Sequence, residues 1–318
     1  MGTIYLTQHG MKVNKKGGRF VVTLKDVEVQ SIPELYVDNI VVMATVQLTH
    51  AVLMNILERG GAVTYLSNLG EIKGVLGIDV QQGKQVLEQA AANLDVAKRV
   101  AVASLLVQHK IKAQRNLLLT YNKSLHSDLI SSTLMHLTAY MDKAEEAESI
   151  NQLLGVEGMA AREYYNCYPE ILQSTDFSWQ GRNRRPPRDP VNALLSFAYT
   201  MLEREVKLAI MQSGLTTGIG FLHGVNDYKD GFVYDVMEPF RSMAAERFVF
   251  RCIKRKIIKL EDFEQVDDAC YLSAAARKKF IGAYEGFNDE KNFNGQILQE
   301  AIKAELLALR KAFTAEAE

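Results

Sequence analysis

Cysteine is scarce in this sequence, and its spacing excludes the common forms of cysteine chemistry. The 318 residues include three cysteines, Cys167, Cys252 and Cys270, without a CxxC pair or a neighbouring cysteine–histidine ligand pattern. This usage disfavours a zinc finger and is typical of proteins from a reducing compartment. No apolar run reaches the about 18 residues of a membrane helix, and MGTIYLTQHG reads as a strand, not as a leader. We therefore expect a cytoplasmic protein without a membrane partner.

Several catalytic motifs are also missing. The sequence has no GxxxxGK[ST], no GxGxxG after a predicted strand and no GxSxG. These absences disfavour a P-loop nucleotide hydrolase, a dinucleotide-binding domain and an α/β-hydrolase. The formal net charge is −1, so contact with nucleic acid must come from local basic patches. With 47% hydrophobic and 24% charged residues, the chain can bury sizeable cores.

Glycine and proline are absent from residues 84–154. The sequence changes in kind just before this region, between residues 80 and 81. Residues 1–80 hold short β-branched and aromatic runs, such as FVVTL, separated by turn sequences, with one helix expected at Thr49–Arg59. Residues 81–318 are rich in alanine, leucine, lysine and glutamine at the helical spacing of about 3.6 residues. We predict an α+β protein with a small β-rich domain at 1–80 and a large all-α domain at 81–318.

Within the second domain, the spacing predicts a helical group over Ser127–Leu154 and a helix that begins near Val191 and ends at Gly214. A basic helix is expected to follow Pro239, and the tail QILQEAIKAELLALRKAF is amphipathic. In the basic helix, the predicted buried stripe consists of Val249, Ile253, Ile257 and Leu260.

One histidine and three acids form a candidate metal site. His223 stands in the glycine-flanked stretch FLHG, Asp235 and Glu238 precede a Pro-Phe-Arg, and Glu157 lies between two glycines. Each of the three acids has a plain structural explanation, because an acidic residue at the start of a helix complements the helix dipole or caps the helix. Together, one imidazole and several carboxylates are ligands that suit Mg²⁺ or Mn²⁺, which assist phosphodiester chemistry.

Two basic segments are candidate DNA contacts. The loop Ser174–Pro190 holds the only tryptophan, Trp179, with Arg182, Arg184 and Arg185, although a solvated connector has the same composition. From Arg241 to Lys259 there are seven lysines or arginines and one acid, Glu246. The candidates for a phosphate track there are Arg241, Arg247, Arg251, Lys254 and Arg255. The alternative is a solvated helix face balanced by the acidic EDFEQVDD.

Four motifs in order carry a family resemblance: GVEGMAAREYY, GRNRRPPRDPVNALLSFAYTMLEREV, SGLTTGIGFLHG and VYDVMEPFR. They closely resemble the CRISPR-associated integrase of spacer acquisition, the "Cas one" family. The stretch GGAVTYLSNLGEIKG is similar to the end of that family's amino-terminal domain. The sequence departs from the family in lacking a proline in GLTTGIGFLH and in having FRS where FRP is more usual, which affects loop geometry and no proposed ligand.

The resemblance implies an amino-terminal β-sandwich-like domain that builds a homodimer, followed by an α-helical catalytic domain. It implies that Glu157, His223 and Glu238 bind Mg²⁺ or Mn²⁺, and that Asp235 is a further acid beside the ion. It also implies a reaction in which a protospacer 3′-hydroxyl attacks a phosphodiester at the boundary of a CRISPR repeat. The same centre would hydrolyse or resolve branched DNA.

The resemblance further implies a heterohexameric complex, in which two homodimers flank a dimer of a small "Cas two" partner. Two other functions stay open at this point. One is a catalytically silent nucleic-acid-binding scaffold of the same fold. The other is an unrelated helical metal-dependent hydrolase of small phosphates, which would not need the arginine loop or the basic helix.

Overall fold

A computed structural model gives the fold and describes residues 2–67, 70–77, 83–183, 186–225 and 230–314. The chain divides into two compact units, Met1–Val80 and Gln81–Glu318. The division falls at the position where the sequence changes from strand-forming runs to helix-forming ones. The first unit is built on sheets and the second mainly on helices, so the predicted α+β class is confirmed.

The described residues of the first unit form two four-stranded sheets and one α-helix. The elements are β1 (Thr3–Leu6), β2 (Met11–Lys16), β3 (Arg19–Leu24), β4 (Val27–Pro33), β5 (Asn39–Val42), β6 (Gln47–Leu48), α1 (His50–Glu58), β7 (Ala62–Leu66) and β8 (Ile72–Gly77). One sheet has the order β1-β5-β7-β8, with parallel pairs β1–β5 and β5–β7 and an antiparallel pair β7–β8. The other has the order β4-β3-β2-β6 and contains the antiparallel β2–β3–β4 meander.

A single buried cluster joins both sheets of this unit. Val13 and Phe20 from one sheet meet Ile40 and Val63 from the other, and all four side chains are fully buried. The helix α1 contributes Val52 to the same cluster. Burial of apolar side chains from both sheets is the main stabilising contribution to such a two-layer unit, and it confirms the sandwich-like arrangement that the family resemblance implies.

The second unit consists of helices and one short hairpin. Its elements are α2 (Gly83–Leu94), α3 (Val96–Leu125), α4 (Asp128–Glu145), α5 (Ile150–Asn166), α6 (Tyr168–Leu172), α7 (Pro190–Ser213), α8 (Gly231–Phe240), α9 (Arg247–Lys254), β9 (Phe263–Val266), β10 (Ala269–Leu272), α10 (Ala274–Asn288) and α11 (Leu298–Thr314). The 30-residue α3 packs against α4, α5, α8 and α11 and so forms the centre of the unit. The expected helix end at Gly214 is confirmed, because this glycine caps α7 with φ of 78°.

The helical group predicted over Ser127–Leu154 is in fact two helices. The side chain of Ser127 accepts a hydrogen bond at the start of α4, and that of Ser149 does so at the start of α5. Glu157 therefore lies in the middle of α5. The expectation that it stands at a helix opening, where it would complement the dipole, is wrong.

The helix expected after Pro239 begins earlier, at Gly231. Asp235 and Glu238 are consequently interior, buried residues of α8 and not caps of a later helix. Pro239 lacks an N–H for the helical ladder, and a π-helical segment, Arg241–Glu246, follows it directly. The irregular backbone thus lies next to the candidate site.

The basic helix is shorter than predicted. The helix α9 ends at Lys254, and Lys256 has a positive φ of 53° that no helix continues through. Val249 and Ile253 are buried as expected, but Leu260 is 45% exposed, so the predicted stripe of four is wrong in its second half. The acidic segment that follows forms the β9–β10 hairpin, an exception to the all-helical expectation. Among the described residues, no helix is long and apolar enough to cross a membrane.

Candidate functional site

Three helices and one loop bring the candidate residues together. Glu157 projects from α5, Glu238 from α8 and Lys110 from the middle of α3, and His223 lies in the loop that leads into α8. Glu157 and Glu238 both form ion pairs with the ammonium group of Lys110. Two of the three predicted metal ligands are therefore held around one positive charge.

Glu238 is the most deeply buried of these ligands. Its Oε2 lies 2.5 Å from Lys110 Nζ, and its Oε1 accepts a hydrogen bond of 3.1 Å from Arg241 Nε. Burial alone would raise the pKa of Glu238, but the adjacent charges of Arg241 and Lys110 lower it to about 2. The carboxylate is therefore ionised at any physiological pH and attracts cations strongly.

Lys110 keeps its charge although its side chain is buried. Burial works against the ammonium, but the attraction of Glu238 and Glu157 is larger and raises the pKa of Lys110 above its ordinary value. Its sequence neighbourhood, VQHKIKAQ, is an ordinary helical one and contains no motif that would single it out. Sequence reasoning missed this residue because its partners lie 47 and 128 positions away along the chain.

Asp235 organises the loop that carries His223. Its two oxygens accept hydrogen bonds from the backbone N–H groups of Phe221, Leu222 and His223, and Oδ1 also lies 2.7 Å from His223 Nδ1. Because Asp235 is the acceptor for three backbone N–H groups of this loop, His223 Nδ1 is the donor in their contact and Nε2 is the nitrogen that faces away from Asp235. Asp235 thus acts on the site through His223, in a carboxylate–histidine pair of the kind that orients metal ligands.

His223 is electrostatically coupled to the rest of the cluster. Partial burial lowers the pKa of His223, but the hydrogen bond to Asp235 and the negative charges of Asp235 and Glu238 outweigh this effect and raise it above its ordinary value. The imidazole and the Glu238 carboxylate therefore interact, and His223 belongs to the same charged cluster as the ligands on α5 and α8.

The His223 loop is held by backbone contacts that admit only glycine. A side chain at Gly220 would place its Cβ 2.6 Å from the carbonyl carbon of Gly231, and Gly224 has φ of 73°. From α11, the ring of Phe313 stacks on Phe221 with centroids 4.8 Å apart and an angle of 19°. The missing family proline therefore does not leave the loop loosely held, since glycine contacts and a stacked ring fix its conformation.

The side chains of Glu157, Glu238 and His223 are chemically suited to a hard divalent cation. The two glutamates surround the positively charged ammonium group of Lys110. Two carboxylates and one imidazole suit Mg²⁺ or Mn²⁺, and the Lys110 ammonium shows that the space between Glu157 and Glu238 accepts positive charge. Within the described ranges, no three histidine, cysteine or acidic side chains surround one common point. The structure thus brings Glu157 and Glu238 together around Lys110 and sets His223 beside them.

A second buried network adjoins Arg241. Glu246, which is 1% exposed, accepts hydrogen bonds from the hydroxyl groups of Tyr164 and Tyr199. The guanidinium groups of Arg241 and Arg182 lie 4.9 and 5.3 Å from the centroid of the Tyr199 ring. Glu246, the only acid between Arg241 and Lys259, is therefore buried beside the candidate site and is not part of a solvated helix face.

The single tryptophan of the chain packs against this network. The indole of Trp179 is tilted against the ring of Tyr168 at 4.7 Å and stacked on that of Tyr165 at 5.9 Å. Tyr165 in turn has its hydroxyl 3.5 Å from that of Tyr199. This end of the loop Ser174–Pro190 is thereby attached to the candidate site and is not a detached connector.

The six predicted DNA-binding residues that the structure describes fall into three groups. Arg182 and Arg241 lie over the Tyr199 ring, Arg247 donates to the carbonyl of Asn292, and Arg251 forms a bidentate pair with Glu290. Lys254 and Arg255 are exposed at the end of α9. Arg184 and Arg185 lie outside the described residues. The role of these side chains in DNA binding stays a prediction.

We expect Gly220→Ala to disrupt the His223 loop, because its new methyl group has no space beside Gly231. Overpacking of this kind costs about 1–3 kcal/mol of unfolding free energy. Gly218→Ala is the matched control, since nothing lies within 4 Å of the Cβ position there. Thermal unfolding should show a lower melting temperature for Gly220→Ala alone, and equal melting temperatures would contradict the tight loop packing.

We expect Asp235→Asn to destabilise the protein. An asparagine has one acceptor oxygen, so its amide group would face donors of the loop, at a cost of about 1–3 kcal/mol for each unsatisfied group. Denaturant unfolding measures the effect. The control is Asp268→Asn in the exposed turn of the hairpin. Equal stability of the two variants would show that the hydrogen bonds to the His223 loop are dispensable.

Comparison with known proteins gives one consistent answer. The family described as "CRISPR associated protein Cas1" matches residues 4–286. A curated relative, "CRISPR-associated endonuclease Cas1 3" of Thermus thermophilus, is 30% identical over 316 residues, which are 98% of this chain and 89% of the relative. The match to the family spans both compact units and includes all four candidate site residues.

Solved structures share the fold. A Cas1 protein from Thermotoga maritima superposes with a TM-score of 0.84 at 24% identity, covering 99% of this chain and 98% of that one. A casposase bound to integration product gives 0.83 at 21% identity, with coverage of 100% and 92%. A chain of a Cas6-RT-Cas1–Cas2 complex gives 0.80 at 24%, with coverage of 98% and 35%. By sequence along most of its length and by fold along nearly all of it, the chain belongs to the Cas1 family.

Proposed function

We propose that this protein is a divalent-metal-dependent DNA integrase and endonuclease that inserts new spacers into a CRISPR array. The observation that carries the proposal is the convergence of Glu157 and Glu238 around one cation, with His223 oriented beside them by Asp235. The name of the Thermus thermophilus relative, an endonuclease, agrees with it, as does the fold shared with a casposase that was solved with integration product.

Glu157, His223 and Glu238 would hold the metal ion. When bound, Mg²⁺ or Mn²⁺ would supply Lewis-acid chemistry, polarising the phosphoryl oxygen and neutralising the charge that develops there. The chain's own residues prepare this site. Asp235 fixes the tautomer and direction of His223, and Arg241 keeps Glu238 ionised and directed into the cluster.

The proposed reaction is a direct displacement at phosphorus. The 3′-hydroxyl oxygen of the incoming DNA forms a bond to phosphorus while the bond to the 3′-oxygen of the target strand breaks, and the proton of the attacking hydroxyl ends on solvent or on the leaving oxygen. One phosphodiester replaces another, so no external energy source is required. Water in place of the hydroxyl gives hydrolysis. No nucleophilic side chain is needed, which agrees with the absence of nucleophile motifs in the sequence.

The proposed partners are DNA, a second copy of the chain and the small protein Cas2. One structural neighbour comes from a complex that contains both Cas1 and Cas2. For the homodimer, the first unit offers the edge strand β4, on which Val27 is 65% and Val29 51% exposed. Exposed apolar residues on an unpaired edge are typical of a surface that a partner covers. Solution scattering at micromolar concentration measures this, and a monomeric mass would contradict the dimer.

For the DNA track we propose the exposed end of α9. Arg247 and Arg251 are engaged with Asn292 and Glu290, so their replacement would disturb packing as well as DNA binding. Lys254 and Arg255 are exposed cations directly beyond them. Lys254 is the last residue of α9 and Arg255 is its C-cap, and neither side chain forms an ion pair within 4 Å among the described residues, so both can follow a phosphate backbone.

We expect Glu157→Gln and His223→Ala each to abolish Mn²⁺-dependent strand transfer while the fold is retained. Both side chains are partly exposed, whereas removal of Glu238 would deprive the buried Arg241 of its acidic partner and leave Lys110 with Glu157 alone, at a cost of about 3–5 kcal/mol. Strand transfer and cleavage of branched DNA are measured with Mn²⁺ and with a chelator. Glu146→Gln and His50→Ala, both exposed, are the controls. Full Mn²⁺-dependent activity of His223→Ala would contradict the ligand assignment, and inactivity of every protein would favour a silent scaffold.

We expect the double variant Lys254→Ala/Arg255→Ala to bind DNA of any sequence more weakly. The log–log slope of affinity against salt should fall by roughly one to two, because each phosphate contact releases about one counterion. The control is Lys303→Ala/Lys311→Ala on α11, which removes the same charge from exposed positions. Unchanged affinity and slope would place the DNA on another face of the protein.

A further inference from the structure

Lys110 occupies an unusual position for a lysine. Its side chain is 10% exposed, and it projects from the central helix α3 to the point where α5 and α8 present Glu157 and Glu238. Buried charges are costly unless they are paired, and here one ammonium pairs with two carboxylates from two other helices. This pairing holds the two negatively charged carboxylates close to each other without any other ion.

A divalent ion and the ammonium cannot share this place. Magnesium binds carboxylate oxygens at about 2.0–2.1 Å, and Nζ already lies 2.5 Å from Glu238 Oε2 and in contact with Glu157 Oε1. An ion that bridges the two carboxylates would therefore lie close to Nζ, where like charges repel strongly in a buried site. Binding of the ion requires that the ammonium withdraw.

We propose that Lys110 is a positioning residue that acts as an internal counter-cation. It holds Glu157 and Glu238 together before the metal ion arrives, and the ion displaces it on binding. The inference rests on the proposed function in one respect, namely that these two glutamates are metal ligands. It adds that metal affinity is set by a competition within the chain, since the free energy of releasing Lys110 is subtracted from that of binding the ion.

The first test measures Mn²⁺ binding without DNA, by calorimetry, for the wild-type protein, Lys110→Met and Lys112→Met. Methionine replaces the apolar stem of lysine with an unbranched chain of similar length and removes the ammonium group with its charge. Lys112 is exposed on the same helix and is the matched control. We expect Lys110→Met to bind Mn²⁺ about tenfold more tightly or better, and Lys112→Met to bind like the wild type. Equal or weaker binding by a folded Lys110→Met would overturn the inference.

Thermal unfolding of the same proteins supplies a second readout. With a chelator present, Lys110→Met should melt below the wild type, because its two carboxylates lose their shared partner. Saturating Mn²⁺ should raise the melting temperature of Lys110→Met by more than that of the wild type. A simple packing defect would lower the melting temperature by the same amount with and without Mn²⁺, and that result would contradict the competition.

The third test uses the wild-type protein and does not depend on folding of a variant. An amine-acylating reagent is applied with and without Mn²⁺, and mass spectrometry quantifies the modification of Lys110 and Lys112. Displacement should increase the labelling of Lys110 severalfold and leave that of Lys112 unchanged. Unchanged labelling of Lys110 while Mn²⁺ is bound would overturn the inference and leave the proposed metal site intact. Absence of Mn²⁺ binding by the wild type and by Lys110→Met would overturn the metal site itself, and the inference with it.

Discussion

Compensation of buried negative charge is the constraint on which the helical unit depends. Glu238 is nearly inaccessible to solvent, and it is stable as an anion only because Lys110 and Arg241 are beside it. The requirement extends further, since Arg241 also lies over Tyr199, whose hydroxyl binds the buried Glu246. Helices α3, α5, α7 and α8 and the π-helical segment are thus joined by one continuous polar network within an apolar interior.

The histidine is held by a different principle. In the described part of its loop, three backbone N–H groups point at the carboxylate of Asp235. The small size of Gly220 and Gly231 allows their backbones to lie close together. The last described helix contributes as well, because Phe313 stacks on Phe221. This helix lies beyond residue 286, where the match to the family model ends, and it supports a residue within that match.

The sequence was sufficient for the class of fold, whereas the surroundings of the candidate ligands could not be predicted from it. Residues 84–154 lack glycine and proline and form helices as their periodicity predicts, and Gly214 ends α7 as expected. The placement of Glu157 at a helix start failed because the true cap of α5 is Ser149, eight positions before Glu157. Local signals of this kind compete, and tertiary packing decides between them.

Lys110 and Glu246 show the other limit of sequence reasoning. Both are charged residues in helical sequence, where a solvated position is the ordinary expectation, and both are buried in the structure. Their burial depends on partners from distant helices, such as Glu157 for Lys110 and Tyr164 for Glu246. No spacing along the chain encodes such contacts, because they arise only when the helices pack.

The stacking of Trp179 has an optical consequence. The chain contains one tryptophan, and its indole packs on Tyr168 and Tyr165, whose hydroxyl adjoins the Tyr199 network. Light absorbed by the indole alone is therefore emitted from a single place in the molecule, between the arginine-rich loop and the charged cluster. The wavelength and intensity of that emission respond to any change in the contact between loop and helix, so the unlabelled protein carries its own fluorescent reporter of events at the site.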